Sequence, residues 1–371
     1  MAEVKVKVSC HCQKNQSVIA LDLSDLPLSA NICHCDTSRH VSGVLGTISI
    51  KVPSGPASLD NLTAFETSEF MTRYSCSTCG AQVFAYDTRE STWRVPTGLL
   101  DRTEGIFEIQ AHMWVGDTRD GGMSDWIPSI SGRPLSRWLE APEIEKSKEL
   151  FESQTLGGKV PTMKFEDEDK IHAHCRCGGV QFYITLPDKA SAEATSPWPD
   201  LIVPYHSGSP ENPENETWWL AANKTKYLAG TCACDSCRLT SGYEITPWAF
   251  IPKTNLVQLN GQPLEFSMGT LKQYESSPGV YREFCSRCGA TVFYHNDERP
   301  ALVDVAVGLL HSTSGVRAEN LLEWRTERVS FEEDAINRSL VDGLREGLGS
   351  WGVQRQGRTG PRAEPWKSRK L

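Results

Sequence analysis

The sequence contains no run of about eighteen apolar residues, the length a membrane-spanning helix needs. An excess of positive charge is also missing. The 371 residues carry a net charge of −9 and a pI near 5.6, which argues against a nucleic-acid-binding body with a basic face. Nothing at the start reads as a signal segment, because Met1 to Val8 alternates instead of forming an apolar stretch. His-x-Glu and Pro-Cys-x-x-Cys are both absent, so zinc-deaminase chemistry is excluded. The remaining composition, 23% charged with eleven Trp, is that of an ordinary globular chain, and the length suggests two domains.

No cysteine is left unassigned. Seven of the thirteen form one pattern: Cys175-x-Cys177, Cys232-x-Cys234-x-x-Cys237 and Cys285-x-x-Cys288-Gly289. The other six repeat it as Cys10-x-Cys12, Cys33-x-Cys35 and Cys76-x-x-Cys79-Gly80. An odd number of cysteines and the narrow geometry of a disulfide within C-x-C disfavour a disulfide framework. Paired thiolates at these spacings suit a tetrahedral zinc ion, and the compartment they imply is reducing, hence cytoplasmic. The later set holds ligands for one closed four-cysteine site and one three-cysteine site. A catalytic zinc keeps one position free of protein ligands, and a structural zinc does not. Cysteine-protease chemistry would need a free thiol with a His partner, and each thiol here belongs to a pair or triplet.

The repeat extends beyond the cysteines. Phe65 to Tyr86 aligns without a gap on Tyr274 to His295 at an offset of 209, matching Arg73 with Arg282 and Phe84 with Phe293, among others. Gly98-Leu99-Leu100 faces Gly308-Leu309-Leu310, and Arg39 with Ser42-Gly43 faces Arg238 with Ser241-Gly242. The offset grows from 165 to 199 to 209 along the chain, so the second copy has gained loop insertions. Period-two runs such as Val4-Val6-Val8, Val180-Phe182-Ile184 and Val303-Val305-Val307 predict a mainly β fold. Asn260-Gly261 and Ser277-Pro278-Gly279 read as hairpin turns. Gly80 and Gly289 are expected at positive φ, turning backbone N–H groups toward the thiolates. A short helix is expected in the charged linker 141–170 and another near Asn337 to Leu348. The insert from about Pro187 to Glu216 reads as a surface loop, and residues 349–371 as a basic tail.

The order C-x-C, C-x-C-x-x-C-R, F-C-x-x-C-G resembles the glutathione-dependent formaldehyde-activating enzyme (GFA) family, which includes the CENP-V proteins. The likeness rests on Cys175-Arg176-Cys177-Gly178-Gly179, Cys232-Ala233-Cys234-Asp235-Ser236-Cys237-Arg238 and Phe284-Cys285-Ser286-Arg287-Cys288-Gly289-Ala290. It implies two tandem zinc-held, tent-like β domains, at 1–140 and 171–348. It also implies that Cys175, Cys177, Cys285 and Cys288 clamp a structural zinc while Cys232, Cys234 and Cys237 hold a catalytic one. In the first copy Cys10, Cys12, Cys76 and Cys79 would form the structural site. There Ser38 replaces the third cysteine of the triplet, so Cys33 and Cys35 should hold metal weakly, with His34 and His40 as candidate replacements. The expected total is three zinc ions per chain.

The activity the resemblance implies is carbon–sulfur lyase or synthase chemistry, joining glutathione and formaldehyde into S-hydroxymethylglutathione in the second domain. An incoming thiol held as thiolate beside a carbonyl carbon is set up for that addition. The fourth ligand of the triplet zinc would be water, substrate, or one of His206, His295 and His311. Arg238, and less so Asp235, are candidates for orienting a substrate carboxylate, and Trp218 with Trp219 for walling a pocket. The alternative is a non-catalytic zinc scaffold binding protein partners, for which CENP-V and Rab-binding proteins of similar fold give precedent.

Overall fold

A computed structural model describes residues 2–356 except 145, 151–168, 198–211 and 213. It is mainly β, built as two copies of one topology. In the first copy, strands run across a sheet in the order Phe107–Met113, Leu28–Cys33, Thr47–Val52, Thr92–Pro96, Gln82–Asp87, Met71–Cys76, Leu62–Ser68. In the second, Leu322–Trp324, Lys226–Cys232, Thr246–Pro252, Leu302–Ala306, Thr291–Asn296, Val280–Cys285 and Leu271–Ser277 follow the same path. The first pair in each order is parallel and the others antiparallel.

A smaller hairpin precedes each sheet. In Glu3–Ser9 paired with Gln16–Asp22, Val6, Val8, Ile19 and Leu21 are buried while Lys5 and Lys7 point outward. Lys170–His174 paired with Gln181–Thr185 buries Ile171, Ala173, Phe182 and Ile184 in the same way. This is the alternation of a sheet with one wet face. The strand Leu302–Ala306 differs, because it is buried on both faces. Its Asp304 is accommodated by the Arg299 guanidinium at 2.8 Å.

Two seven-residue helices, α1 (Asp36–Ser42) and α3 (Asp235–Ser241), carry the triplets. A third, α2 (Lys189–Glu193), opens the insert expected as a loop. Asp188 caps it, and Ser191 anchors it through Asn255 Oδ1 at 2.8 Å. Residues 198–211 and 213 of the insert, 357–371 of the expected basic tail and most of the linker lie outside the described residues; the described part of the linker holds no helix, and residues 349–356, expected as tail, are helical. The last helix, α4 (Arg338–Gln356), runs about two turns beyond the expected end. It packs on the first copy, where Trp126 stacks edge-on against Trp324 and Trp351.

The two copies meet across a pseudo-two-fold, with paired backbone contacts as in an isologous interface. Gly98 N–H donates to Gly242 O at 3.1 Å, and Gly308 N–H to Gly43 O at 2.9 Å. His11 N–H donates to Leu239 O at 3.1 Å, and Arg176 N–H to His40 O at 2.8 Å. Gly43 and Gly242 end α1 and α3 at φ +84° and +94°, and a Cβ there would stand 2.3 and 2.5 Å from the carbonyl oxygens of Thr291 and Gln82. Gly43→Ala is therefore expected to lower stability by roughly 2–3 kcal/mol through overpacking and backbone strain. Urea unfolding checks this, and a loss below about 0.5 kcal/mol would mean the copies do not press together here.

Glu244 is wholly buried at this junction, and burial raises its carboxyl to about 7 despite help from Thr97 and Arg238. A raised carboxyl binds its proton more tightly in the folded chain, so its contribution to stability is full below the unfolded value near 4.5 and falls as pH rises toward 7. Glu244→Gln should flatten the pH dependence of stability between those limits and stabilise the chain at neutral pH. Chemical denaturation at pH 5 and pH 7.5 measures it.

Candidate metal centres and the triplet site

Three cysteine groups come together, each with its sulfurs within 4.8 Å of one another: Cys10, Cys12, Cys76, Cys79; Cys175, Cys177, Cys285, Cys288; and Cys232, Cys234, Cys237. Neighbouring Sγ atoms stand 3.6 Å apart for Cys10–Cys12 and Cys12–Cys76, and 3.5 and 3.4 Å for Cys175–Cys177 and Cys177–Cys285. Sulfurs at about 2.3 Å around one tetrahedral ion would be roughly 3.8 Å apart, whereas a disulfide needs about 2.05 Å. The donor sets fit metal ions.

Backbone amides support these thiolates. Thr78 N–H donates to Cys76 Sγ at 3.4 Å, Gly179 N–H to Cys177 Sγ at 3.4 Å and Val180 N–H to Cys175 Sγ at 3.3 Å. Gly80 and Gly289 do take positive φ, +80° and +74°, but their own N–H groups go to the Cys76 and Cys285 carbonyls at 2.9 and 2.8 Å. Their missing side chains serve the interface, since a Cβ would meet Phe284 from Gly80 and Ser75 from Gly289 at 2.4 and 2.3 Å. Hydrogen bonds from Cys79 and Cys288 lower the Cys12 and Cys177 thiols to about 7.

The triplet grows from one strand end and one helix start. Cys232 ends Lys226–Cys232, Cys234 caps α3 by accepting from Cys237 N–H at 3.3 Å, and Cys237 faces back from the first turn. Arg282, buried in Val280–Cys285, points Nη1 at Cys237 Sγ at 3.6 Å. Hydrogen bonds from Cys232 and Cys234, then the Arg282 charge, overcome burial and hold the Cys237 thiol far below its usual range. Burial opposes the Arg282 charge, but Cys237 and Cys234 outweigh it and keep the guanidinium firmly protonated. A divalent ion with three thiolates has net charge −1, which one guanidinium neutralises. Among the described residues no fourth Cys, His, Asp or Glu joins the group.

The matching place in the first copy is built differently. Cys33 and Cys35 stand 3.5 Å apart, and Ser38 Oγ is 3.2 Å from Cys35 Sγ. Arg73, the repeat partner of Arg282, donates to Ser38 Oγ at 2.9 Å and to Tyr243 Oη at 3.0 Å. Both candidate histidines are buried but bond other partners. His34 Nε2 pairs with His112 Nδ1 at 2.9 Å, and His40 Nδ1 with the His174 carbonyl at 2.8 Å.

Arg238 points to the other copy, donating through Nη1 to Gly98 O at 2.6 Å and Leu100 O at 3.4 Å while pairing with the half-exposed Asp235. Arg39 mirrors it on Gly308 O at 3.3 Å, so both arginines join the copies. Trp218 and Trp219 are core, with Trp219 Nε1 donating to Ser191 O at 2.9 Å and Trp218 packed on Phe250. His295 stacks on Phe266 and bonds Glu283 at 3.1 Å, and His311 lies exposed opposite His172. His206 lies outside the described residues. Sequence reading did not single out Arg282, the cation against Cys237, whose only trace was its match to Arg73. A cleft of about 600 Å³ between α2 and the Lys253–Pro263 region is lined by none of the triplet cysteines nor by Arg282.

Fold and sites together define a duplicated β protein with two four-cysteine centres and a single intact triplet. The glutathione-dependent formaldehyde-activating enzyme family model matches residues 5–117 and 220–326, more than half of the chain, and the protein belongs to that family. No match was found among curated proteins.

Proposed function

We propose that the chain is a zinc-dependent carbon–sulfur lyase or synthase acting on a thiol and a small aldehyde, with its reaction centre at Cys232, Cys234 and Cys237. Glutathione and formaldehyde are the pair the family name supplies. The observation that carries this reading is the triplet itself: three thiols, no fourth protein ligand among the described residues, and the buried Arg282 cation against Cys237. Zinc bound there would supply coordination that keeps an incoming thiol deprotonated at neutral pH. Arg282 holds Cys237 as thiolate and balances charge. The two four-cysteine centres, in this reading, are structural.

The test uses the full chain in rates of S-hydroxymethylglutathione formation above the spontaneous reaction. Activity should vanish in Cys237→Ser and in chelated protein, and Arg282→Gln should retain about one tenth to one hundredth of it, as for partners of metal ligands generally. Equal rates in wild-type, Cys237→Ser and chelated samples would favour the scaffold alternative.

A further inference from the structure

The pseudo-two-fold places one loop of the first copy against the second copy's triplet. His11, between Cys10 and Cys12, bonds through its backbone N–H to Leu239 O of α3, the helix that carries Cys237. Its Nδ1 meets Tyr274 Oη at 2.8 Å, and the rings pack edge to face. Tyr274 lies opposite Arg282 in strand register, and Arg282 is the residue that touches Cys237. His11 Nε2 has no hydrogen-bond partner among the described residues and is not among the fully buried polar atoms.

The symmetric position offers a control within the molecule. Arg176 N–H makes the matching bond to His40 O beside the first copy's triplet remnant. There Arg176 replaces His11 and Phe65 replaces Tyr274. The His–Tyr pair therefore stands where the triplet is complete, and its equivalent is gone where Ser38 has broken it.

We propose that His11 of the first copy is a substrate-contacting residue of the second copy's triplet site, oriented by Tyr274, with Nε2–H as a hydrogen-bond donor to the oxygen of the aldehyde or of the hydroxymethyl adduct. The proposal rests on the function given above and explains what a copy without its own triplet contributes. With the neutral Tyr274 hydroxyl donating to Nδ1, the imidazole carries its proton on Nε2. In the addition, the sulfur–carbon bond forms, the carbonyl π pair moves to oxygen, and the proton lost by the thiol reaches that oxygen by way of solvent. His11 polarises the oxygen throughout and is unchanged at the end.

The experiment uses cobalt-substituted full-length protein, with thiol binding followed in the visible spectrum. Ethanethiol and 2-mercaptoethanol deliver the same sulfur, and only the second carries a hydroxyl that Nε2–H could bond. Wild-type protein should prefer 2-mercaptoethanol by about fivefold, the worth of one neutral hydrogen bond. His11→Phe should abolish that preference at unchanged metal content, and Tyr274→Phe should weaken it. His11→Gln, which retains a donor, should restore part of it. A preference that His11→Phe leaves intact overturns the proposal alone. No spectral response to any thiol in wild-type protein overturns the parent reading and the proposal with it. Loss of metal or of cooperative unfolding in His11→Phe passes the decision to His11→Gln, whose full retention or loss of the preference at intact metal content settles the contact.

Discussion

Cys237→Ser in the full chain should lose one of three zinc equivalents and all activity while still unfolding cooperatively, whereas Cys285→Ser or Cys79→Ser should fail to fold. The asymmetry follows from where the sulfurs sit. Cys76 and Cys285 end central hairpin strands and are fully buried, and each four-cysteine group ties an early hairpin to that strand end across more than sixty residues. Structural zinc contributes apparent binding energies of roughly 10–16 kcal/mol, comparable to the entire stability of a domain. The triplet instead closes a loop of six residues, Cys232 to Cys237, already fixed by the α3 cap and by the strand pairing of Cys232 with Thr246. Elemental analysis with circular dichroism on the three variants measures it. Equal loss of fold in Cys237→Ser and Cys285→Ser would remove the distinction between catalytic and structural centres.

Ser38→Cys should add a fourth zinc equivalent. Cys33, Cys35 and the α1 cap reproduce the second copy's geometry, Ser38 Oγ already lies 3.2 Å from Cys35 Sγ, and Arg73 waits at 2.9 Å where Arg282 meets Cys237. A serine hydroxyl stays protonated near neutral pH and ligates zinc poorly, and a thiol beside two others and a guanidinium does not have that defect. The rebuilt centre should bind metal without raising turnover, because Arg176 and Phe65 stand in place of His11 and Tyr274. An unchanged zinc count would show that the remnant has lost more than one ligand.

Cysteine spacing, the internal repeat and period-two patterning were enough to foresee three clustered cysteine groups, two β copies and a first copy without a third triplet thiol, because each of those features is local or recurs along the chain. Where two faces were covered at once, as in Leu302–Ala306, alternation stopped reporting burial. Arg238 shows the limit most clearly. Its position beside the triplet and its match to Arg39 suggested a role in the site, yet both side chains reach across to carbonyls of the other copy. Matching residues in a repeat can be kept for the interface as readily as for chemistry, and spacing along one copy does not distinguish them. The glycines matched at 43 and 242, 80 and 289, and 98 and 308 share that explanation, since each leaves room for the opposite copy. Sequence alone thus determined the cysteine pattern, the duplication and the missing third thiol. The tertiary structure decided the long-range contacts, bringing Arg282 onto Cys237, and His11 onto Tyr274 across 263 residues. The physical reason is that both pairings are long-range, Arg282 with Cys237 within the second copy and His11 with Tyr274 across the pseudo-two-fold, and no periodicity within either copy encodes them.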